Sequence, residues 1–244
     1  GWRGAPNHRD EPQHMVTGKI TQNILRLLNI KFVVLDKQKN LQTLSKLIKY
    51  SYKKKQPVAC LIKNKILVSK KNIKMKNKKK GGFTRSFVLK KILKIVKKDT
   101  KIISNTGYAS RELYQLRSEK KYNGKDFYLV GGMGHTSMVA LGNSIFYKGK
   151  TLCIDGDGSL LMHLGSLNLI NNYADKKFKY ILINNNSHES VGGQPTNINR
   201  LNLNKIMQGF KFKKIQHISN SNNLEKKIKK FIFSDKLSFL EIKV

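Results

Sequence analysis

The chain has 244 residues, enough for one large or two small domains, and its apolar content of 39% is ordinary for a folded protein. It contains no run of about 18 uncharged apolar residues, so no membrane-spanning helix is expected. The net charge of +35 comes mainly from lysine, because only seven of the 49 basic residues are arginine, the residue that nucleic-acid surfaces favour. We therefore interpret the charge as solvated lysine and expect no nucleic-acid or membrane partner.

The first part of the chain, residues 1–67, alternates between helical and strand patterns. Residues 1–17 are polar and contain Pro12, so we expect them to be irregular. In chain order, the apolar spacing then indicates a helix at 20–28, a strand at 32–35, a helix at 41–48 and a strand at 58–62. This alternation predicts a parallel α/β sheet. Two strands are too few for a complete domain, so we predict the C-terminal part of one.

A lysine-rich segment at 68–84 is predicted to link this part to a larger α/β domain at 85–244. Thr84 has the side chain of an N-cap, and Phe83 can pack on Val88, so a helix should begin there. Further strands are expected at 101–105, 126–130, 151–154 and 180–183, and further helices at 110–118, 134–145 and 160–173. We predict a doubly wound, mostly parallel sheet with ligands at the C-terminal strand ends.

The cysteines and the start of the chain bear on location and completeness. Cys60 and Cys153 lie in apolar, strand-like runs, so we expect buried, reduced thiols and a cytoplasmic protein without disulfides. Residues 1–4 include no initiator methionine and no signal-peptide pattern. We therefore expect the chain to lack an N-terminal part.

Two polar motifs each follow a predicted strand. Residues 154–159 read Ile-Asp-Gly-Asp-Gly-Ser, and residues 183–187 read Ile-Asn-Asn-Asn-Ser. One crossover helix joins the two strands, so Asp157 and Asn185 should meet although they are 28 positions apart. Magnesium prefers oxygen ligands, one or two of them carboxylates. The Asp157 carboxylate, the Asn185 amide oxygen and the Ser187 carbonyl can supply three.

The small residues of the first motif suit a phosphate group. Gly156 and Gly158 let the backbone approach a ligand without a Cβ clash. Ser159 begins the next helix, where free N–H groups favour an anion. Either motif alone is most often a turn or a loop. Together, at two strand ends with a helix between them, they predict a site for a metal ion and a phosphate group.

The paired Gly-Asp-Gly and Asn-Asn motifs resemble the signature of thiamine diphosphate enzymes, and other segments resemble the phosphonopyruvate decarboxylases of that family. These segments are 1–4 (Gly-Trp-Arg-Gly), 10–14 (Asp-Glu-Pro-Gln-His), 106–113 (Thr-Gly-Tyr-Ala-Ser-Arg-Glu-Leu), 131–135 (Gly-Gly-Met-Gly-His) and 188–196 (His-Glu-Ser-Val-Gly-Gly-Gln-Pro-Thr). The sequence departs from the family at Gly132, where serine is expected, and at Asn186, where glycine is common. Asparagine tolerates a positive φ better than most residues.

The resemblance implies roles for individual residues. Asp157, Asn185 and the Ser187 carbonyl would hold Mg²⁺. The cofactor-binding positions would be Gly107, Ser110, Gly131, Met133, Gly156, Gly158 and Ser159. Met133 matches the bulky apolar residue that bends the cofactor. His188 and His135 are candidates for proton transfer or phosphonate binding, with a hydrogen-bonded structural histidine as the alternative for each.

The implied reaction is the decarboxylation of 3-phosphonopyruvate to phosphonoacetaldehyde and CO2 in phosphonate biosynthesis, with thiamine diphosphate storing the electrons. The family also uses a glutamate from a pyrimidine-binding domain, of which residues 1–67 would be the C-terminal part. We expect this glutamate to be absent from the chain, which would then be inactive alone. We also expect a homo-oligomer, or a complex with a chain that supplies the missing domain.

Two alternatives stay open at this point. The first is sulfopyruvate decarboxylase, or another 2-keto acid decarboxylase. Sulfopyruvate decarboxylases are often split into separate chains, whereas here two domains are joined, which favours the phosphonate enzyme. The second is a non-catalytic basic protein that binds nucleic acid. It predicts salt-sensitive DNA binding and no stabilisation by thiamine diphosphate.

Overall fold

A computed structural model describes residues 1–37, 40–67, 82–119, 122–220 and 222–244. The chain divides into two compact units, Gly1–Asn77 and Lys78–Val244. Most of the predicted linker, at 68–81, lies outside the described residues, and the assignment of the two domains stays a prediction. None of the helices in the described ranges has both the length and the apolar character that crossing a membrane requires.

The described part of the first unit contains a two-stranded parallel sheet and two helices. Its elements are α1 (Pro12–Leu27), β1 (Lys31–Leu35), α2 (Asn40–Lys54) and β2 (Val58–Ile62). The prediction that residues 1–17 are irregular is wrong, because α1 begins at Pro12. Proline is tolerated there because the first N–H of a helix has no intrahelical partner. Both cysteines are free thiols as expected, but Cys60 is half-buried rather than buried.

In the described part of the second unit, six parallel strands form one sheet. They are β3 (Lys101–Ser104), β4 (Asp126–Tyr128), β5 (Thr151–Gly156), β6 (Phe178–Asn184), β7 (Lys214–Ile218) and β8 (Ser238–Lys243), in the order β4-β3-β5-β6-β8-β7. The helices are α3 (Arg85–Ile95), α4 (Tyr108–Ser118), α5 (Thr136–Phe146), α6 (Asp157–Met162), α7 (Leu167–Tyr173), α8 (Leu203–Gly209) and α9 (Leu224–Ile232).

Helices cover both faces of this sheet, which confirms the doubly wound α/β fold. Alternate side chains of a strand point to opposite faces. Ile154 and Ile181 therefore pack with α3, α4 and α9 on one face, whereas Cys153 and Leu182 pack with α5, α7 and α8 on the other. Because both faces are covered, β5 and β6 are buried along almost their whole length.

The helix that begins the second unit starts where the sequence predicts. The side-chain oxygen of Thr84 accepts a hydrogen bond from the Phe87 backbone N–H at 3.2 Å. Phe83 packs against the core cluster that contains Val88. An N-cap and an apolar anchor before it thus define the start of α3.

The observed elements differ from the predicted ones in two places. The predicted helix at 160–173 is three pieces, namely α6, a 3-10 turn at Leu164–Ser166, and α7. No element was predicted after residue 183, where the structure forms α8, β7, α9 and β8. The apolar face of α9 (Leu224, Ile228, Phe231 and Ile232) is buried at helical spacing, so the signal was present among the lysines. In β8, Ser238 and Glu241 interrupt the apolar pattern of a strand.

The order of the strands defines where a ligand crevice opens. From β3 the chain moves to β4 on one side and then crosses to β5 on the other. The loops that follow β3 and β5 therefore run in opposite directions, and they separate beyond the C-terminal ends of these two strands. The crevice therefore lies beyond the ends of β3 and β5, the second of which leads into Asp157.

Lys179, in the central strand β6, is a lysine inside the core. It is 1% exposed, and its Nζ donates a hydrogen bond to the Lys236 carbonyl oxygen at 2.5 Å. Burial, with help from the nearby charges of Lys150 and Lys214, lowers the pKa of Lys179 from 10.5 to about 8. The unfolded chain thus binds this proton more tightly, so stability rises as the pH increases from about 8 to 10.5.

We expect Lys179→Met to raise the free energy of unfolding at pH 7 by about 1 kcal/mol, because it removes the cost of burying a charge. The gain should shrink as the pH passes from 8 to 10.5, because wild-type Lys179 loses its proton in the folded state before it does so in the unfolded chain. Urea denaturation at pH 7 and pH 10 measures both values. Lys179→Arg, which keeps its charge, serves as the control. If Lys179→Met raised the free energy of unfolding by the same amount at both pH values, this account would be contradicted.

Candidate cofactor and metal site

A cleft opens at the C-terminal ends of β3, β5 and β6. It is lined by many of the residues singled out from the sequence, namely Met133, Gly156, Asp157, Gly158, Ser159, Asn185, Ser187 and His188. Strands β5 and β6 pair in parallel as far as Gly156 and Ile183. This pairing brings the two polar motifs to the same edge of the sheet, as their spacing suggested.

Four other predicted positions lie outside this lining. Gly107 and Ser110 flank residues at the start of α4 that do line the cleft. Gly131 adopts a left-handed backbone with φ of 74°. The ring of His135 packs against that of His163, with their centroids 4.5 Å apart. Of the two histidine candidates, His188 is therefore the one that faces the cleft.

Asp157 is a buried carboxylate, with 2% of its surface exposed. Burial raises its pKa above the ordinary value of 3.8, against the opposing effects of the Thr196 hydroxyl and nearby His188. The Thr196 hydroxyl donates to the Oδ2 atom of Asp157 at 2.5 Å. A cation near a poorly solvated carboxylate favours its ionised form, so this position suits a metal ion.

The side chain of Asn185 is oriented by an ion pair behind it. Its Nδ2 donates to the Oε2 of Glu189 at 3.1 Å, and Arg85 Nη1 donates to the same oxygen at 3.1 Å. The amide oxygen then points the other way and accepts from the Ser187 backbone N–H at 3.2 Å. An amide oxygen has two lone pairs, so one is left for a cation.

The possible metal-ligand atoms at the C-terminal edge of the sheet suit magnesium better than zinc. No group of three or more His, Cys, Asp and Glu side chains within the described ranges could hold a metal ion, and zinc usually requires nitrogen or sulfur ligands. Asp157 supplies one carboxylate, and Asn185 and Ser187 supply neutral oxygens. Magnesium takes one or two carboxylates and completes its octahedron with water and phosphate oxygens.

Gly156 and Gly158 allow close packing in the cleft. A Cβ on Gly158 would lie 2.5 Å from the Cε1 of His188 and 3.3 Å from the Cε of Met133. A Cβ on Gly156 would lie 2.8 Å from the Nδ2 of Asn105. A side chain at either position would therefore displace these neighbours, in addition to obstructing the phosphate contact inferred from the sequence.

Asn105 provides an independent sign of a ligand. Its side chain lines the cleft, and its Oδ1 atom is buried without a hydrogen-bond partner. A buried acceptor in a native protein is normally satisfied by a donor from the protein, from water or from a ligand. The donor that completes Asn105 therefore comes from whatever fills the cleft.

Ser159 lies in the first turn of α6, which begins at Asp157. Its side chain is buried, and its Oγ accepts a hydrogen bond from the Gly134 backbone N–H at 3.0 Å. This bond joins the segment that carries Met133 to the Gly-Asp-Gly turn. The hydroxyl thus has a structural partner, and the backbone N–H groups of the turn are the groups available to an anion.

Sequence reasoning missed Arg85, which lines the cleft beside the metal-site residues. It bonds to Glu112 Oε1 through Nη2 at 2.8 Å and Nε at 3.1 Å. Arg85 and Glu189 are 104 positions apart, so no local spacing could have revealed this contact.

Comparison with known proteins agrees with this geometry. Residues 104–242 match the family described as "Thiamine pyrophosphate enzyme, C-terminal TPP binding domain". The chain is 30% identical to a phosphonopyruvate decarboxylase of Streptomyces viridochromogenes over 211 residues, which cover 80% of this chain and 52% of that protein. It is 37% identical to the sulfopyruvate decarboxylase subunit beta of Methanocaldococcus jannaschii over 123 residues, which cover 50% and 63%.

A phosphonopyruvate decarboxylase of Streptomyces hygroscopicus is 28% identical over 211 residues, with 80% of this chain and 52% of that protein covered. The chain thus spans about half the length of both phosphonopyruvate decarboxylases. Both alignments are longer than the family match at 104–242.

The turn between Asn185 and Ser187 depends on the backbone of Asn186, whose φ is 55°. We expect Asn186→Gly to be about 1 kcal/mol more stable than Asn186→Ala, because a Cβ is disfavoured in the left-handed region. Loss of the asparagine side chain itself should cost little, since its Oδ1 is buried without a partner. Urea denaturation of the two variants gives the difference. Equal stabilities would show that this φ is not maintained.

Proposed function

The chain belongs to the thiamine pyrophosphate enzyme family through its C-terminal TPP binding domain, and from this premise we propose that it is the diphosphate-binding half of a phosphonopyruvate decarboxylase. Thiamine pyrophosphate and thiamine diphosphate are the same cofactor. The observation that carries the proposal is the convergence of Asp157, Asn185 and Ser187 on one cleft beside Gly156 and Gly158. The substrate would be 3-phosphonopyruvate, and the products phosphonoacetaldehyde and CO2.

The extent of the similarity supports phosphonopyruvate over sulfopyruvate. The alignment with the Streptomyces viridochromogenes protein covers 80% of this chain, whereas the alignment with the Methanocaldococcus jannaschii subunit covers 50%. The higher identity of 37% in that shorter alignment favours sulfopyruvate decarboxylase as the second candidate. The two acids share the 2-keto acid group and differ in the anionic group that the cleft must accept.

The residues singled out from the sequence have the following roles in this proposal. Asp157, Asn185 and the Ser187 carbonyl would hold Mg²⁺, the counter-ion of the diphosphate. The backbone N–H groups of the turn at 156–159 would bind the diphosphate, with the loop containing Gly107 and Ser110 as a further contact. Met133 and Gly131 would contact the organic part of the cofactor.

When bound, thiamine diphosphate supplies a thiazolium ring that stores the electron pair left behind when CO2 departs. In the proposal, the chain's own residues orient the substrate beside that ring and transfer protons there. His188 packs on Gly158 and faces the cleft, so its imidazole is placed to bind the acid group of the substrate or to transfer a proton. His135, paired with His163, is the second candidate for proton transfer.

A further polypeptide segment completes this site in the proposal. The Methanocaldococcus jannaschii relative is named as a subunit beta, which supports a function in more than one chain. A pyrimidine-binding domain whose glutamate bonds the aminopyrimidine ring would complete the site, from a separate protein or from another segment of the same gene product.

We expect thiamine diphosphate with Mg²⁺ to raise the melting temperature of the chain, and Asp157→Asn to abolish the magnesium-dependent part of that shift. Ligand at 100 times its Kd stabilises a protein by about 2.7 kcal/mol, and the variant lacks the charged metal ligand. Asp235→Asn makes the same chemical change at an exposed site and should leave the shift intact. Differential scanning fluorimetry measures it. No response of the wild-type chain to cofactor and metal would favour the non-catalytic alternative.

We expect the complete gene product, including whatever the gene encodes before Gly1, to release CO2 faster from 3-phosphonopyruvate than from sulfopyruvate. A coupled assay for CO2 at equal concentrations of the two acids measures this ratio, with Asp157→Asn as the inactive control. Faster turnover of sulfopyruvate would transfer the assignment to the sulfonate. If the protein binds the cofactor but decarboxylates neither acid, its substrate would be a different 2-keto acid.

A further inference from the structure

Glu241 is a buried carboxylate on the strand beside the metal loop, which we define as residues 185–187. It is 4% exposed and lies in β8, between β6 and β7. A buried charge is unfavourable unless each of its oxygens has a partner. The proposed cofactor chemistry gives this side chain no task, and its position raises the question of what it stabilises.

Both oxygens of Glu241 have partners that lead in opposite directions. Oε2 lies 2.7 Å from the Nδ1 of His217 on the edge strand β7. Oε1 accepts a hydrogen bond from the Nδ2 of Asn184 at 2.5 Å. Asn184 is the last residue of β6 and immediately precedes the metal loop. The carboxylate therefore connects the edge of the sheet to the start of that loop.

Asn184 transmits this contact to the loop backbone. A carboxylate can only accept, so the Asn184 amide must turn its NH2 group toward Glu241. Its oxygen then faces the other way and accepts from the Asn186 backbone N–H at 2.9 Å. Asn186 carries the left-handed turn of the loop, with φ of 55°. The orientation of one amide thus helps to maintain the conformation that directs Asn185 and Ser187 into the cleft.

We propose that Glu241 is a positioning residue that acts through Asn184 to hold the metal loop in its cation-binding conformation. The proposal builds on the function proposed above, because it takes Asn185 and Ser187 as the metal-binding groups. Partners that orient metal ligands commonly change metal affinity by 10- to 100-fold when they are removed. Glu241 does not contact the metal in this arrangement, so its effect must pass through the loop.

The test compares variants of Glu241 by two measurements. The first is hydrogen–deuterium exchange of the peptide that contains Asn184 to Ser187, without metal or cofactor. The second is the apparent Kd for Mn²⁺, followed by electron paramagnetic resonance with excess thiamine diphosphate. Glu241→Met should speed exchange in this peptide and weaken Mn²⁺ binding about 10-fold. Glu241→Gln, whose amide oxygen can still accept from Asn184, should retain most of both properties.

Two further variants separate positioning from general destabilisation. Ser238→Ala removes a buried polar group from the same strand. The Ser238 hydroxyl bonds to Lys236 and Ser234 rather than to the loop. Exchange and Mn²⁺ affinity should therefore stay at wild-type values in this variant. If Glu241→Met does not fold, Glu241→Asp retains the charge but withdraws the carboxylate by one carbon, and should speed exchange in the same way.

A double-mutant cycle tests the route of the effect. Once Asn184→Ala has removed the intermediary, adding Glu241→Met should change the Kd for Mn²⁺ little further. Wild-type exchange and affinity in Glu241→Met and Glu241→Asp, or full additivity with Asn184→Ala, would overturn the role of Glu241. Failure of the unsubstituted chain to bind Mn²⁺ would instead contradict the metal site of the proposed function, which is a different result.

Discussion

The parallel pairing of β5 with β6 is the constraint on which the candidate site depends. The two strands run side by side as far as Gly156 and Ile183, so the residues that follow them emerge at the same edge of the sheet. Asp157 begins a helix directly after the first strand, and Asn185 begins a loop directly after the second. Main-chain hydrogen bonds thus bring a carboxylate and an amide oxygen together over 28 positions of sequence.

Side chains behind the cleft then orient the groups that the strands bring together. Arg85 and Glu189 orient the amide of Asn185 from one side. From another side, Asn184 holds the backbone of Asn186. Thr196 donates to the carboxylate of Asp157 and so connects the loop that follows Ser187 to the Gly-Asp-Gly turn. An apparent ligand set of three residues therefore depends on a larger set of hydrogen bonds, as is usual around metal ions.

Much of this arrangement could be predicted from the sequence, because the relevant signals are local. The apolar runs of β5 and β6, the glycines around Asp157 and the N-cap at Thr84 each act within a few residues. The partners of Asn185 could not be predicted, since Arg85 and Glu189 meet only in the folded chain. The elements after residue 200 were missed for a different reason. Lysines and the polar positions of β8 interrupt the apolar spacing, which becomes clear only when the buried residues are known.

The most direct test of the account is a crystal structure of the chain grown with thiamine diphosphate and Mn²⁺, with the metal located by its anomalous scattering. The account predicts a single strong peak in the cleft, within coordination distance of the Asp157 carboxylate, the Asn185 amide oxygen and the Ser187 carbonyl, and in contact with the diphosphate. A cofactor bound without a metal at these three oxygens, or a metal bound elsewhere in the unit, would contradict it.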